Sequence, residues 1–126
     1  MKKQLISTDK APSAIGAYSQ AIKVGDTVYI SGQIPLNPQT MSVVDGGFEA
    51  QSRQVLANLS AVAQAAGGQL SDAVKFTVYV TDLDDFATLN DVMAEVLPEP
   101  FPARAVVQVS ALPKEVSVEI DVVLSL

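Results

Sequence analysis

The chain has 126 residues and a net charge of −6, with only eight basic side chains. This length fits a single domain, so residues 1–126 are expected to fold as one unit. The acidic balance disfavours nucleic-acid binding, which requires clustered lysine and arginine side chains. Cysteine and histidine are both absent. Their absence excludes disulfides, thiol nucleophiles and imidazole bases, and it disfavours a metal site of the zinc type.

The chain is also poor in charge for its hydrophobic content. Charged residues make up 17% and hydrophobic residues 48%, whereas soluble domains carry about 25% charged residues. No apolar run approaches the roughly 18 residues that span a bilayer, and the first residues lack the apolar segment of a signal peptide. We therefore expect a cytoplasmic protein without membrane contact that hides apolar surface in an oligomer. A monomer with a sparsely charged surface is the alternative.

The first part of the chain reads as strands joined by glycine and proline turns. Gly25 and Asp26 fit a two-residue hairpin turn, and the segment from Gly32 to Pro38 is predicted to break regular structure. The predicted strands cover residues 3–7, 18–24 and 27–31.

Two amphipathic helices follow, separated by a strand. Apolar residues recur at helical spacing over residues 49–66, and Gly67 ends this helix. Residues 73–81 alternate as a strand. Asp82 is predicted to cap the second helix, which Pro98 ends. The apolar stripe of the second helix is Phe86, Leu89, Met93, Val96 and Leu97.

Residues 102–109 and 116–124 alternate between apolar and polar side chains, and we predict that they form an antiparallel hairpin turning near Leu112. This register places Arg104 within a residue or two of Glu119 and Asp121, where cross-strand Cβ atoms are about 4.5–5.5 Å apart.

The order of elements predicts an α+β domain with one sheet and both helices on one face of it. Alternate strand positions would then place Tyr79, Val106 and Val123 on the uncovered face. Such a face is too apolar to remain in water over its whole area. We expect the protein to associate with itself through this face.

Arg104 and Glu119 are the first candidates for chemistry. An arginine fork binds a carboxylate or phosphate with two parallel hydrogen bonds, and a glutamate set among valines can hold or deprotonate a water molecule. The structural alternative is a cross-strand ion pair of Arg104 with Glu119 or Asp121. For Glu119, a position on a solvated outer face is a further alternative.

Four weaker candidates accompany them. Asn90 falls inside the apolar stripe of the second helix, so its amide needs partners, either loop backbone or a ligand. Tyr18 is usually a packing residue with a wet hydroxyl. Ser31 and Gly32 follow a strand, where glycine admits a ligand to the backbone or simply permits a turn.

Taken together, these segments resemble the RidA (YjgF/YER057c/UK114) family along nearly the whole chain. The C-terminal signature begins with Pro102-Ala103-Arg104-Ala105 and ends with Val118-Glu119-Ile120. The N-terminal block includes Ala17-Tyr18-Ser19-Gln20-Ala21 and Ser31-Gly32-Gln33. The middle block is similar over residues 77–83 and 86–90.

The resemblance implies a chorismate-mutase-like fold and a homotrimer whose sheets form a central barrel, with sites in clefts between subunits. It implies hydrolysis of the reactive enamines and imines 2-aminoacrylate/2-iminopropanoate and 2-iminobutanoate to 2-keto acids and ammonia. The family needs no cofactor of its own.

The resemblance also implies roles for individual residues. Arg104 would bind the substrate carboxylate and Glu119 would activate the attacking water, so both are expected to face a shared cavity. The remaining cleft residues would be Tyr18, Ser31, Gly32, Asn90 and, through its backbone carbonyl, Val106.

Two features depart from the family pattern. Many members carry cysteine where this chain has Val106, so a thiol cannot be essential here. The segment over residues 91–101 is shorter than in many members, and this leaves the substrate preference open.

Two other functions remain as alternatives. A non-enzymatic regulatory trimer could bind keto acids or similar anions in the same cleft, although such a sensor has no need of Glu119. A chorismate-mutase-type pericyclic enzyme would need several cations for its dianionic substrate, and Arg53 and Arg104 are the only arginines.

Overall fold

A mixed sheet of six strands forms one layer of the protein, and two helices form the other. The computed structural model describes residues 1–126. The elements in chain order are β1 (Gln4–Ile6), β2 (Ala21–Val24), β3 (Thr27–Gln33), α1 (Phe48–Ala65), β4 (Ala73–Val80), α2 (Phe86–Val96), β5 (Ala103–Gln108) and β6 (Val118–Ser125).

The strands lie in the spatial order β1-β2-β3-β6-β4-β5. Only β4 and β5 are parallel, because α2 carries the chain back across the sheet between them. The last strand, β6, inserts between β3 and β4 and is antiparallel to both. The sheet therefore has two free edges, β1 and β5.

The predicted antiparallel hairpin between the last two strands is wrong. Arg104 of β5 pairs with Phe76 of β4, whereas Glu119 of β6 pairs with Tyr79 of β4. The two C-terminal strands are thus separated by β4. Consequently Arg104 is not a cross-strand neighbour of Glu119 or Asp121, and the proposed ion pair does not form.

Both helices cover the same face of the sheet, as predicted. Core residues from α1, α2 and the strands β1, β2, β3, β4 and β6 form one cluster. The largest fully buried side chains include Phe76, Leu56, Leu59, Leu89 and Ile120. Neither helix is long and apolar enough to cross a membrane.

Local signals in the sequence explain where α1 stops. Gly67 adopts a left-handed φ of 94°, which favours glycine. This turn lets the Gly67 and Gly68 N–H groups donate to the carbonyls of Gln64 and Ala63. The helix therefore ends at the glycine pair, as predicted.

The opposite face of the sheet is covered by no helix. Tyr29 is 54% exposed and Val107 is 43% exposed on this open face, and Ile22, Tyr79 and Val123 are only partly buried. Large apolar side chains thus continue across the sheet from β2 to β5, an arrangement typical of association surfaces.

Candidate functional site

Arg104 stands at the free edge of the sheet and points toward α2. Its Nη1 atom donates to Asn90 Oδ1 at 3.2 Å and lies 3.8 Å from the sulfur of Met93. The guanidinium also lies over the ring of Phe86, 5.1 Å from its centre. An amide, a thioether and an aromatic face thus orient the fork without neutralising its charge.

The two arginines differ in their partners. Arg53 bonds to Glu49 at 3.1 Å and to Glu95 at 2.6 Å on the outer surface of the helices. Arg104 forms no ion pair within the chain and borders a cleft of about 360 Å³. The cleft is lined by Asn90, Met93, Ala94, Leu97, Phe101, Pro102 and Arg104. Arg104 is therefore available to bind an anion.

Asn90 lies outside the buried apolar stripe of α2. The buried residues of this helix are Leu89, Val92 and Met93, and Asn90 is exposed beside them. The amide oxygen of Asn90 accepts from Arg104 and from no loop backbone group. The expectation that Asn90 sits in the buried stripe is wrong.

Val106 faces the helices and not the open face. It pairs in register with Val78, which is fully buried, and it packs partly buried against the main core. The prediction that Val106 belongs to the uncovered face is therefore wrong. Because β5 is an edge strand, part of its backbone has no partner within the protomer.

Glu119 lies on the other side of the sheet, on the open face of β6. Its neighbour on β3 is Gly32, at a bulge where the pairing shifts between Ile30 and Gln33. A Cβ atom added to Gly32 would lie 2.5 Å from Glu119 Oε2 and 3.0 Å from its Cδ. Gly32 therefore makes room for this carboxylate, while β3 continues through it to Gln33 instead of ending before it.

Ser31 and Tyr18 border the same end of β3. The hydroxyl of Ser31 donates to the carbonyl of Ser19 at 2.6 Å. Tyr18 is half exposed, and its hydroxyl accepts from the Ile15 N–H at 3.3 Å. Tyr18 and Gly32 both line a second cleft of about 240 Å³.

The electrostatics of the open face favour a protonatable carboxylate. Burial raises the pKa of Glu119, and the negative charge of Asp121 raises it further. Tyr79 lies opposite Glu119 in the register and donates its hydroxyl to Asp121 Oδ2 at 3.1 Å. Burial and this hydrogen bond raise the pKa of Tyr79, so its hydroxyl keeps its proton.

Within one protomer the predicted site residues form two separate groups. Arg104 and Asn90 come together on the helix side of the β5 edge. Tyr18, Ser31, Gly32 and Glu119 gather around the end of β3.

The two groups lie on opposite faces of the sheet. Arg104 and Glu119 are two strands apart, about 10 Å at the usual strand spacing, and three residues apart along the sheet. The expectation that Arg104 and Glu119 share a cavity therefore fails for a single protomer.

The sequence reasoning missed three residues that contact these groups. The helical spacing predicts Phe86 and Met93 only as positions in the apolar stripe of α2, yet both contact Arg104. Tyr79 was placed on the open face without a role. Alternation along β4 places Tyr79 on the open face, and the neighbouring strand β6 carries the carboxylates Glu119 and Asp121 on that face. This pattern could have identified Tyr79 as a contact of the site. No cluster of three or more acidic side chains forms a cage for a metal ion.

Comparison with known proteins gives full-length matches. The sequence model of one family, described as Endoribonuclease L-PSP, matches residues 8–125. A RutC family protein of Pyrococcus horikoshii is 50% identical over 121 residues, which cover 96% of each chain. A 2-iminobutanoate/2-iminopropanoate deaminase of Dermatophagoides farinae is 46% identical over 119 residues, covering 94% of this chain and 93% of the relative.

Comparison with solved structures also gives a match over nearly the whole chain. The crystal structure of RidA from the Antarctic bacterium Psychrobacter sp. superposes with a TM-score of 0.95 at 58% identity, covering 98% of this chain and 99% of that one. The similarity therefore extends across every strand and both helices. The chain belongs to the RidA family.

Proposed function

We propose that the protein is a deaminase that hydrolyses small 2-imino and 2-enamino carboxylates, such as 2-iminopropanoate and 2-iminobutanoate, to 2-keto acids and ammonia. The deaminase of Dermatophagoides farinae, 46% identical, supports this reaction class. The observation that carries the proposal is that Arg104, unlike Arg53, has no carboxylate partner in the chain and borders an open cleft.

The proposed active site combines the two groups of residues from different protomers. In a homotrimer the β5 edge of one subunit would approach the open face of the next, so that Arg104 of the partner subunit lies across from Glu119. Two observations support this assembly: the open face is apolar, and neither group contains both an anion-binding residue and a proton acceptor. Association would cover the face and complete three equivalent sites.

The reaction requires a bound anion and one oriented water molecule. Arg104 binds the substrate carboxylate through its fork, each charge-assisted hydrogen bond contributing about 1.5–3 kcal/mol. Asn90 fixes the plane of the guanidinium, and the backbone carbonyl of Val106 orients the substrate or water at the edge of β5. Tyr18 and Ser31 line the approach to the reacting carbon.

Glu119 moves the protons. It takes a proton from water as the water oxygen bonds to the imine carbon, and this gives a tetrahedral carbinolamine. Glu119 passes this proton to the nitrogen, which has received the C=N π electrons, and so completes the neutral carbinolamine. It then takes the proton of the new hydroxyl as the C=O bond forms and delivers it to the amino nitrogen. The C–N bond breaks with its electrons going to nitrogen, and the products are ammonia and a 2-keto acid. A carboxylate whose pKa is raised by burial and by a neighbouring negative charge suits this exchange, because it accepts a proton more readily than an ordinary glutamate does.

The family description as an endoribonuclease suggests a second activity to test. Against RNA as the substrate of this chain stand its net charge of −6 and the lack of histidine. A regulatory anion binder would need Arg104 but would leave the buried carboxylate of Glu119 without a role. The deaminase therefore accounts for more of the structure.

The direct test generates 2-iminobutanoate with a pyridoxal-phosphate threonine dehydratase and follows the release of keto acid and ammonia. We expect the wild type to accelerate release and Arg104→Ala to abolish the acceleration. Arg53→Ala is the matched control, since it removes the only other arginine, and it should retain activity. Unchanged rates with the wild type would refute the deaminase. Binding of 2-ketobutyrate without acceleration would identify the regulatory function, and cleavage of RNA by the wild type but not Glu119→Gln would identify a nuclease.

A further inference from the structure

Two carboxylates, Glu119 and Asp121, project from β6 onto the open face with one residue between them. Successive side chains on one face of a strand are about 7 Å apart. Tyr79 on β4 lies directly opposite Glu119 in the register, and Thr77 lies opposite Asp121. Asp121, Tyr79 and Thr77 therefore form a compact polar group beside Glu119, the proposed catalytic carboxylate.

The two carboxylates differ in their hydrogen bonds. The hydroxyl of Tyr79 reaches diagonally across the strands and donates to Asp121 Oδ2 at 3.1 Å. Glu119 accepts no hydrogen bond from the protein and rests against Gly32. A carboxylate accepts hydrogen bonds, and the phenol of Tyr79 occupies one oxygen of Asp121 in this way. Asp121 is thus occupied, while Glu119 is free to bind a proton or a water molecule.

From this arrangement we propose that Asp121, held by Tyr79, is a positioning residue whose fixed negative charge makes Glu119 the carboxylate that exchanges a proton with the attacking water. This proposal rests on the deaminase function, because it assigns a partner to the general base of that reaction. Paired carboxylates in unequal surroundings divide acid and base roles in just this manner.

No cationic side chain pairs in register with Glu119 on either neighbouring strand. Gly32 of β3 lies against Glu119, and Tyr79 of β4 lies opposite it. Asp121 is the other titratable group on its own strand, and its charge adds to burial in raising the pKa of Glu119. Lys75 lies farther along β4, in register with Val123, and no helix covers this face.

The test measures the titration of Glu119 directly, by NMR of the intact protein labelled with ¹³C at the glutamate side-chain carboxyl. The Glu119 signal is assigned by its loss in Glu119→Gln. We expect Asp121→Asn to move the Glu119 midpoint to lower pH, and Asp121→Glu, which keeps the charge, to leave it near the wild-type value. Asp45→Asn removes an equal charge from an exposed loop and serves as the control.

Tyr79→Phe separates the hydrogen bond from the charge. It removes the hydroxyl and leaves both carboxylates, so we expect a smaller displacement of the Glu119 midpoint than in Asp121→Asn. Equal shifts of the Glu119 titration midpoint in Tyr79→Phe and Asp121→Asn would contradict the role given to the Asp121 charge. A Glu119 midpoint in Asp121→Asn equal to that of the wild type would contradict it as well.

The catalytic consequence is measured separately. The acidic limb of the kcat/KM profile should move to lower pH in Asp121→Asn together with the NMR midpoint. A uniform loss of activity with an unmoved limb would show a structural role and overturn the proposal. Because the titration needs no turnover, an inactive wild type would refute the deaminase function without being mistaken for a failure of the Asp121 assignment.

Discussion

The carboxylate of Glu119 lies over the α-carbon of Gly32, so closely that a methyl group there would come within 2.5 Å of Oε2. The backbone of Gly32 does not adopt a left-handed φ. The requirement for glycine is therefore one of space alone, and this makes the contact a clean target for substitution.

Gly32→Ala should displace the Glu119 side chain from its place beside the bulge of β3. We expect kcat/KM to fall about 100-fold, as a displacement of about 1 Å can cause, and stability to fall by about 1–3 kcal/mol through overpacking. Steady-state kinetics and urea denaturation measure the two effects. A double-mutant cycle provides the control: in the Glu119→Ala background the stability cost of Gly32→Ala should vanish. A cost that persists there would place the steric conflict elsewhere.

Mixing two inactive variants tests whether the site is shared between protomers. Arg104→Ala keeps a native Glu119, and Glu119→Ala keeps a native Arg104. After unfolding and refolding of an equal mixture, about one quarter of the intersubunit sites in randomly assembled trimers would combine both native residues. We therefore expect about a quarter of the wild-type activity from the mixture.

The controls for this experiment are the separately refolded variants, which should stay inactive, and sedimentation, which should give three times the protomer mass of 13.2 kDa. Refolded mixed trimers without activity would mean that both residues act from one protomer. A monomeric wild type would contradict the assembly itself.

We expect Asn90 to influence how strongly Arg104 binds an anion, because its amide oxygen accepts a hydrogen bond from the guanidinium. Asn90→Asp would place a carboxylate within hydrogen-bonding reach of the guanidinium, where the amide oxygen now lies at 3.2 Å. It would compete with the substrate carboxylate, so we expect KM to rise more than in Asn90→Ala, for which loss of one hydrogen bond predicts about a 2- to 10-fold rise. The additional effect of Asn90→Asp should shrink at high salt. Equal KM values for the two variants would argue against anion binding by Arg104.

Protonation of Glu119 should make the free energy of unfolding depend on pH. Burial and the charge of Asp121 raise its pKa in the folded protein. The native state therefore holds this proton more tightly than the unfolded chain. The resulting stabilisation is complete below the unfolded-chain pKa of about 4.3 and is lost as the pH rises through the raised native value.

Glu119→Gln removes this dependence. Its Tm should exceed that of the wild type at neutral pH, and the difference should disappear as the pH approaches 4. Glu99→Gln, which neutralises an exposed glutamate without an ion pair, is the control for overall charge. A Glu119→Gln variant less stable than the wild type at neutral pH would contradict the assignment.

Local patterns predicted most of the elements but not how the last two strands pair. Alternation, helical spacing and the Gly67 stop are properties of neighbouring residues, and they located β2, β3, β4 and both helices. Pairing partners depend on the whole chain. The strand–helix–strand order of β4, α2 and β5 already favoured a parallel crossover. The nine residues between Gln108 and Val118 are also more than a tight hairpin needs.

The same error explains the misplaced site geometry. The alternation of side chains along each strand showed that Arg104 and Val106 share one face of β5, and that Glu119 and Asp121 share one face of β6. It did not show which of these faces meets the helices. An assumed hairpin then brought Arg104 beside Glu119. In the fold, the intervening β4 and the packing of Phe76 beneath α2 turn Arg104 toward the helix layer. The family resemblance supplied the residues of the proposed site, while their spatial arrangement required the fold.

The placement of Arg104 and Glu119 on opposite faces of one sheet has a consequence for the life of the chain in the cell. If each site needs two protomers, a newly synthesised chain is catalytically silent until it meets others, however well it has folded. Specific activity should then rise with protein concentration and fall on dilution. A chain that loses only one of these residues would still supply the other to its neighbour, so a mixed trimer would keep one complete site for every intact chain it contains.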